Sequence, residues 1–514
     1  HNCAIIIYNV NYLAGRGKPF SCQLIIMRAD TGDPQYALKV MRKEEKSDME
    51  AMTQDEARRQ AHYEKMTQTP VPKLVTTLAI PTIISMMVSA IYNMADTFFV
   101  SQLGTSAVGA VGIVFSLMAI IQAVGFTLGM GSGTIVSLHL GAKEDDKATC
   151  AASTGFFTAI VMGLLLTIFG SIFVVPLMRL LGATETILPY ARDYGQYILL
   201  AAPIMCASFV MNNIFRCEGK SVLGMLGIGT GGILNIILDP IFIFGLGLGT
   251  AGAAIATALS QTVSFIILLI LFLKGKSDVR LRITKVSKKL KTYIDIITTG
   301  MPTLCRQGLA SLASVALNVN AAIYGDAAVA AMSIVGRLMF FMFSAMLGFG
   351  QGFQPVAGFN YGAKKYGRVH EATRFTILVG TVVMAVFSLV IFIFSPQILM
   401  AFRKDDAVVI ELGSFALRAQ CLVMPFCGVT TTANMALQST GQSGRATFLA
   451  LCRQGVFFLP LILILPRFCG VLGVQLAQPL ADACTMAASI PFLVAFMRRL
   501  KVMNVQEGEN LCKE

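Results

Sequence analysis

The sequence contains no tryptophan, only 4 histidines and few charged residues, which make up 13% of its 514 residues. Soluble proteins average about 25% charged residues. Hydrophobic residues reach 55% and the mean hydropathy is +0.69, so an ordinary soluble globule is excluded. Disorder is also excluded, because it requires low hydrophobicity and high charge. The composition therefore predicts a polytopic membrane protein.

Motifs for nucleotide or hydrolytic chemistry are absent as well. The sequence has no P-loop, HExxH or GxSxG motif, so nothing indicates an ATP-driven pump or a hydrolase, and an enzyme is the least favoured class. Gly227, Gly229 and Gly232 have the spacing of the dinucleotide-binding motif GxGxxG. They lie in an apolar stretch, however, where close helix packing explains them better. The 12 cysteines form no CxxC pair, so we expect free thiols, no transition metal and no cofactor.

The first 70 residues differ from the rest of the chain. They carry ten Lys/Arg and nine Asp/Glu, and they contain no apolar stretch long enough for a membrane span or a signal sequence. We expect this polar head, residues 1–70, to be partly non-native or disordered, with the natural start at Met41, Met49, Met52 or Met66. Residues 48–65 fit either a short polar helix on the membrane surface or an unstructured tail.

Beyond the head, apolar stretches recur that are long enough for spanning helices, which need about 20 residues each. We predict an all-α polytopic membrane protein with 12 transmembrane helices in two six-helix pseudo-symmetric lobes. The predicted domains are an N-lobe at 71–275, a basic cytoplasmic linker at 276–293, a C-lobe at 294–500 and a cytoplasmic tail at 501–514. The predicted spans are 74–100, 106–131, 151–177, 191–214, 223–246, 252–273, 294–320, 328–352, 372–395, 411–436, 446–466 and 471–497.

The two predicted lobes look like copies of each other. An ungapped alignment at an offset of 221 residues gives 16 identities in 63 positions. It pairs Pro81 with Pro302, Gly104 with Gly325, and the Gly-Ala-Lys triplet at 141–143 with that at 362–364. Since each copy has an even number of spans, both halves have the same orientation and are related by an axis along the membrane normal. Such duplication is typical of transporters.

The placement of charge predicts the orientation in the bilayer. A net charge of +13 would suggest nucleic acid in a soluble protein, but eight Lys/Arg against one acid are concentrated between residues 274 and 291. This run reads as a cytoplasmic loop, and loops after the even-numbered spans carry most of the other Lys/Arg. We therefore expect no nucleic-acid partner and both termini in the cytoplasm.

Two acids inside predicted spans are the main functional candidates, Asp96 in the first span and Asp239 in the fifth. An ionisable side chain within a span faces the bundle interior, because exposure to lipid is costly. Asn235 lies four residues before Asp239 on the same helix face, and Pro240 frees backbone carbonyls. These oxygens suit a hard cation or a proton. The alternative is that Asp239 and Pro240 only shape a kink and that Asp96 caps the outer helix end.

The second half carries basic residues in its predicted spans instead. They are Arg306, Arg337, Arg418 and Arg453, accompanied by Asp482 in the last span. We expect most of them to be structural, either paired with Asp482 or backbone carbonyls, or extended towards the membrane interface.

Several of these segments resemble the multidrug and toxic compound extrusion (MATE) exporters, in particular the bacterial DinF-like and MepA-like branch. The resemblance covers about residues 70–500. The segments that carry it are Ala-Ile-Pro at 79–81, NMADTFFV at 93–100, Gln-Leu-Gly at 102–104, NIILDP at 235–240, and the Arg-Gln-Gly triplets at 306–308 and 453–455.

The resemblance implies two lobes around a V-shaped central cavity, with the coupling site in the N-lobe and no counterpart for the head. Acids used in the C-lobe by the other bacterial branch are missing from spans 7, 8 and 10 here. The positions of the family's coupling site fall here on Asp96, Asn235, Asp239 and Thr257. Tyr194 and Asn212 match neighbouring positions, and Pro81 matches the proline associated with bending of the first helix.

The resulting functional hypothesis is a cation/drug antiporter of a bacterial inner membrane, exporting cationic amphipathic compounds as a monomer in exchange for Na⁺ or H⁺. Two neighbouring carboxylates share protons as a pair, while carboxylate and amide oxygens also suit Na⁺, so the sequence favours neither ion. A flippase for a lipid-linked precursor and a passive channel stay open as alternatives. A major-facilitator transporter is less favoured, because the loop after span 2 lacks that family's signature.

Overall fold

The computed structural model describes residues 56–103, 105–402 and 406–511. Within these ranges all regular structure is helical, and residues 56–68 form a helix that precedes the membrane body. Twelve longer helices, α1 to α12, follow in the described part of the chain. Their bounds are Val71–Ser101, Thr105–Gly141, Asp145–Ile172, Leu188–Cys217, Ser221–Gly245, Gly249–Leu273, Leu290–Ala322, Asp326–Gly362, Tyr366–Ile393, Ala407–Ser439, Ser443–Cys469 and Val471–Leu511.

The predicted all-helical membrane architecture is confirmed. Among the described residues, 11 helices are long and apolar enough to cross a membrane by length and composition. The remaining long helix is α7, whose 33 residues suffice to span a bilayer. Its first half contains Lys291, Asp295 and Arg306, which lower its hydropathy.

Helix ends differ from the prediction where polar or small residues continue a helix. Helices α2 and α8 run to Gly141 and Gly362 rather than to 131 and 352, because their last turns are glycine-rich and polar but packed inside the protein. Helix α12 continues to Leu511, so residues 501–511 of the expected cytoplasmic tail are helical, and residues 512–514 lie outside the described part. The expectations for residues 1–55, including the start codon, also lie outside it.

The helices of each lobe pack into one bundle. In the N-lobe, α4 packs against α2, α3 and α6, while α1 and α6 flank α5. In the C-lobe, α8 packs against α9 and α10, and α12 packs against α10 and α11. The lobes meet through the pairs α1 with α8, α2 with α7, and α2 with α8. The linker after α6 is docked on the N-lobe, where Ser153 on α3 accepts a hydrogen bond of 3.1 Å from the backbone N–H of Arg282.

Backbone contacts between the lobes are concentrated at one end, where α2, α4, α6 and α8 terminate. We call it the basic end, because the loops carrying most Lys/Arg lie there. A Cβ at Gly300 on α7 would overlap the carbonyl oxygen of Thr127 on α2. A Cβ at Gly131 on α2 would likewise overlap the carbonyl of Ile296. Only glycine permits this approach, so the sequence itself allows the lobes to close here.

The turn after α2 recurs after α8. Lys143 and Lys364, which the repeat pairs, both have left-handed backbone conformations, with φ of 58° and 59°. This region is unfavourable for residues that carry a Cβ. Two lysines paired by sequence thus share one uncommon conformation.

Candidate cation-binding site

Helices α1, α4, α5 and α6 bring together five of the predicted residues. The hydroxyl of Tyr194 donates to Asp96 Oδ2 at 3.5 Å and also lies within hydrogen-bond reach of Thr257. Asn235 Nδ2 donates to Asp239 Oδ1 at 2.9 Å and to Thr257 Oγ1 at 3.2 Å. We call these five residues the acidic cluster.

The acidic cluster has more acceptor oxygens than donors. Asp239 is fully buried and Asn235 is 3% exposed. Asp96 Oδ1, Asn235 Oδ1 and Asp239 Oδ2 are buried atoms with no hydrogen-bond partner in the described part of the chain. A buried acceptor without a donor is costly, and a buried carboxylate more so. The arrangement can therefore be stabilised by a cation or by protons, and its carboxylate and amide oxygens suit a hard cation such as Na⁺.

Small residues on α5 let the neighbouring helices approach the cluster. A Cβ at Gly232 would lie 2.9 Å from Val88 Cγ1 on α1, and one at Gly227 would lie 2.6 Å from Leu268 Cδ2 on α6. Helix packing thus accounts for two glycines of the fingerprint-like pattern. The third, Gly229, faces open space, and nothing in the structure explains it.

The backbone after Asp239 departs from α-helical geometry. Pro240 is followed by a π-helical turn at Ile241–Gly245. Such turns are frequent at functional sites because they loosen the regular hydrogen-bond ladder. Asp239 therefore lies beside an irregular backbone and also takes part in the cluster. Asp96 lies inside α1, before its end at Ser101.

The predicted bending proline lies where α1 meets the C-lobe. Pro81 is inside α1 and does not end it. A Cβ at Gly348 on α8 would lie 2.6 Å from Ile83 Cα, and one at Gly352 would overlap Ala79 Cα. Helix α1 thus carries Asp96 at one end and a tight contact with the other lobe around Pro81.

Asn212, expected near the coupling site, lies apart from the acidic cluster. Its side-chain amide donates to the carbonyl of Gly224 at 2.8 Å and ties α4 to α5. Its repeat counterpart Asn434 donates to the carbonyl of Ala446 at 2.6 Å and ties α10 to α11. Because the same contact occurs in both halves, it is a structural device of each lobe.

The basic residues of the C-lobe have different environments. Arg453 Nε donates to Asp482 Oδ1 at 2.7 Å, and Arg418 Nε donates to Ser395 Oγ at 2.9 Å. Arg306 faces a cavity in the C-lobe, with no hydrogen bond or ion pair to the described residues.

The predicted fourth span ends at residue 214 and leaves Arg216 in the following loop, which is wrong. Arg216 belongs to the last turn of α4 and is 3% exposed. Its Nη1 donates to Gln351 Oε1 on α8 at 2.6 Å, which joins the two lobes, and its Nη2 also contacts Asn213. An arginine at the end of an apolar stretch looks like a loop residue until the partner helix is known.

Comparisons with known proteins match this architecture. The family model described as MatE matches residues 81–241 and 302–464, so the two matches begin at Pro81 and Pro302, the prolines that the repeat pairs. The multidrug export protein MepA of Staphylococcus aureus (strain MRSA252) is 28% identical over 431 residues, covering 84% of this chain and 94% of that protein.

Solved structures agree over most of the chain. An outward-facing multidrug resistance MATE family transporter of the MOP superfamily has 26% identity and a TM-score of 0.80, covering 85% of this chain and 98% of that one. A MATE in the bent conformation has 26% identity and a TM-score of 0.79, with coverages of 87% and 99%. The twelve-helix, two-lobe fold predicted from the sequence is confirmed by these structures.

Proposed function

Because the chain belongs to the MatE family, whose members are membrane transporters and not enzymes, we propose that it is a secondary active multidrug exporter. It exchanges Na⁺ or H⁺ for cationic amphipathic compounds across a bacterial inner membrane. It acts as a monomer, since one chain contains both lobes and the whole acidic cluster. The export of drugs by MepA supports this substrate class.

The observation that carries the proposal is the acidic cluster. Three buried oxygens, two of them from carboxylates, have no donor in the part of the chain that the structure describes, and they create a site that a monovalent cation or protons complete. A passive channel would need no such site. Cation binding does energetic work only through its different affinity for the two transport states.

Helix α1 couples the cluster to the lobes. When protons neutralise Asp96 and Asp239, or when Na⁺ binds between them, the repulsion between α1 and α5 is reduced. The packing of α1 around Pro81 against α8 then changes, and the drug is displaced. MATE structures solved in a straight and in a bent conformation support a conformational rearrangement in this mechanism.

The contact between the lobes at the basic end favours one of the two transport states. The lobes touch backbone to backbone through α2 and α7 at that end, so access is from the opposite side. With the basic end in the cytoplasm, as its loop charge favours, this is the outward-facing state. Both termini are then cytoplasmic.

The test is ethidium efflux from proteoliposomes under an imposed Na⁺ gradient and, separately, a pH gradient. Asp96→Asn and Asp239→Asn are compared with wild type. Asp193→Asn is the matched control, because Asp193 is an exposed acid on α4 next to Tyr194. Export that is driven by one gradient, abolished in both cluster variants and kept in the control would support antiport and identify the ion.

Two outcomes would contradict the proposal. Ethidium flux that needs no gradient and survives both substitutions would indicate a channel. Absence of ethidium movement in folded protein under either gradient would favour the alternative substrate class, a lipid-linked or other metabolite.

A further inference from the structure

A second site lies in the C-lobe, away from the acidic cluster. Helices α7, α8, α10, α11 and α12 line an open cavity of about 350 Å³, within the range of small-molecule pockets. Its walls are largely apolar, including Met332, Met339 and Phe343. The lining residues include Arg306 and Arg453 and no acid.

Arg306 is the unexplained member of this lining. Its side chain is partly buried and has no hydrogen bond or ion pair among the described residues. A guanidinium stays charged under physiological conditions, and a charge within a membrane span is costly unless it is paired. The neighbouring charges of Arg216 and Arg453 repel it. The protein therefore leaves a fixed positive charge facing an apolar cavity.

The nearby acid does not compensate Arg306. Asp482 is 4% exposed and already accepts hydrogen bonds from Arg453 at 2.7 Å, Gln420 at 2.6 Å and Gln478 at 3.1 Å. Its oxygens are occupied, so one acid faces two arginines and the site has an excess positive charge.

The backbone and an aromatic ring hold Arg453 in place. It belongs to a π-helical segment, Cys452–Phe458, that interrupts α11, and its guanidinium lies 4.0 Å from the centre of the Phe343 ring. Irregular helical turns of this kind are frequent at binding sites. Arg453 is thus positioned at the cavity wall, while Arg306 stays available to a ligand.

We propose that the C-lobe cavity is an anion-binding subsite, in which Arg306 binds the carboxylate or phosphate group of an amphipathic ligand while the Met and Phe walls hold its apolar body. A guanidinium matches both groups through paired N–H donors. The physiological meaning of this subsite rests on the proposed export function, because it would extend the substrates from cations to zwitterions and anions. The binding itself is measurable without transport.

The experiment compares two dyes that differ only in an anionic group. Rhodamine B has a free carboxylate, whereas rhodamine B ethyl ester has an uncharged ester there. Their affinities are measured by fluorescence polarisation with the purified full chain in a neutral detergent. Arg306→Gln is expected to weaken rhodamine B binding about tenfold, as for the loss of a charged hydrogen bond, and to leave the ester unaffected.

Two further variants control this result. Arg418→Gln also removes one positive charge from the C-lobe, but Arg418 is exposed and does not line the cavity, so both affinities should stay at wild-type values. Arg306→Lys keeps the charge but loses the paired donors, so its rhodamine B affinity should fall between wild type and Arg306→Gln. If Arg306→Gln does not fold, the rhodamine B affinities of Arg306→Lys and Arg418→Gln are compared instead. A weaker affinity in Arg306→Lys alone would still support the subsite.

The source of the anion is resolved in nanodiscs made of phosphatidylcholine alone or mixed with phosphatidylglycerol. If wild type binds rhodamine B more weakly in the mixed discs, and Arg306→Gln shows no such difference between the discs, the subsite is assigned to a lipid phosphate. Equal binding in both discs, still sensitive to Arg306→Gln, would assign it to free amphipathic anions. Rhodamine B affinity that does not change in either Arg306 variant would overturn the proposal, whatever the ethidium assay shows. Conversely, Arg306-dependent binding without gradient-driven ethidium export would support the subsite and contradict the proposed export of cationic drugs.

Discussion

Two buried carboxylates should respond in opposite ways when their charge is removed. Asp482 accepts hydrogen bonds from Arg453 and from two glutamine amides, so Asp482→Leu leaves a buried guanidinium and two amides without an acceptor. From the described residues, Asp239 accepts one hydrogen bond, donated by Asn235, and one of its oxygens has no partner. Asp239→Asn therefore removes a charge that nothing in the cluster neutralises.

The magnitude follows from the burial of the ion pair. Removing one partner of a buried ion pair costs about 3–5 kcal/mol. The side chains of Arg453 and Asp482 are 20% and 3% exposed, and Arg453 borders a cavity, so solvent screening places Asp482→Leu near the lower limit, at about 3 kcal/mol. Arg453→Met combined with Asp482→Leu should restore most of this loss, because no charge is then left unpaired. Asp239→Asn should leave the free energy of unfolding unchanged or raise it.

The assay is denaturation of the purified protein in detergent, followed by circular dichroism, for wild type, both single variants of the ion pair, the double variant and Asp239→Asn. The double-mutant cycle should give a coupling free energy of at least about 2 kcal/mol. A double variant as destabilised as the sum of the two single variants would refute the ion pair. A large destabilisation by Asp239→Asn would refute the view that its charge is uncompensated.

Three smaller predictions concern the backbone and the repeat. Gly300→Ala forces a Cβ against the carbonyl of Thr127 and should destabilise the closed basic end by about 1–3 kcal/mol, measured as increased labelling of a cysteine placed in the α2/α7 contact. Asn212→Ala and Asn434→Ala should each lower the free energy of unfolding by about 1–2 kcal/mol, measured by denaturation. Lys364→Gly should raise the free energy of unfolding by about 0.5–1 kcal/mol in the same denaturation assay, because glycine tolerates the left-handed conformation.

Each of these predictions has a control within the chain. Gly308 is on the same helix as Gly300 and a Cβ there meets nothing within 4 Å, so Gly308→Ala should not increase labelling, and equal effects of the two alanines would argue against the overlap. Among the described residues, Asn320 donates only to its own helix, at the carbonyl of Ala316, so Asn320→Ala should cost less than Asn212→Ala. A loss of stability in Lys364→Gly would contradict backbone strain at that turn.

Much of the candidate site could be anticipated from local sequence. Asn235 and Asp239 share a helix face because they are four residues apart. A carboxylate inside an apolar stretch is costly wherever it lies, which makes Asp96 a functional candidate. Tyr194 and Thr257 were predicted as site residues only from the family resemblance, since a tyrosine or threonine in an apolar span does not by itself indicate a function. Asn212 shows the limit of that transfer, because its amide is engaged by Gly224.

Apolar length and loop charge determined the class of protein and the number of helices, because a bilayer imposes both on any chain that crosses it. The repeat followed separately from the identities between the two halves. Tertiary structure alone decided which charges are compensated. It paired Arg453 with Asp482, buried Arg216 against the opposite lobe and left Arg306 facing a cavity. In the amino-acid sequence these three arginines have similar surroundings, because each lies in or next to an apolar stretch. The free energy of a buried charge depends on atoms a few ångströms away, and those atoms belong to helices far apart in the chain.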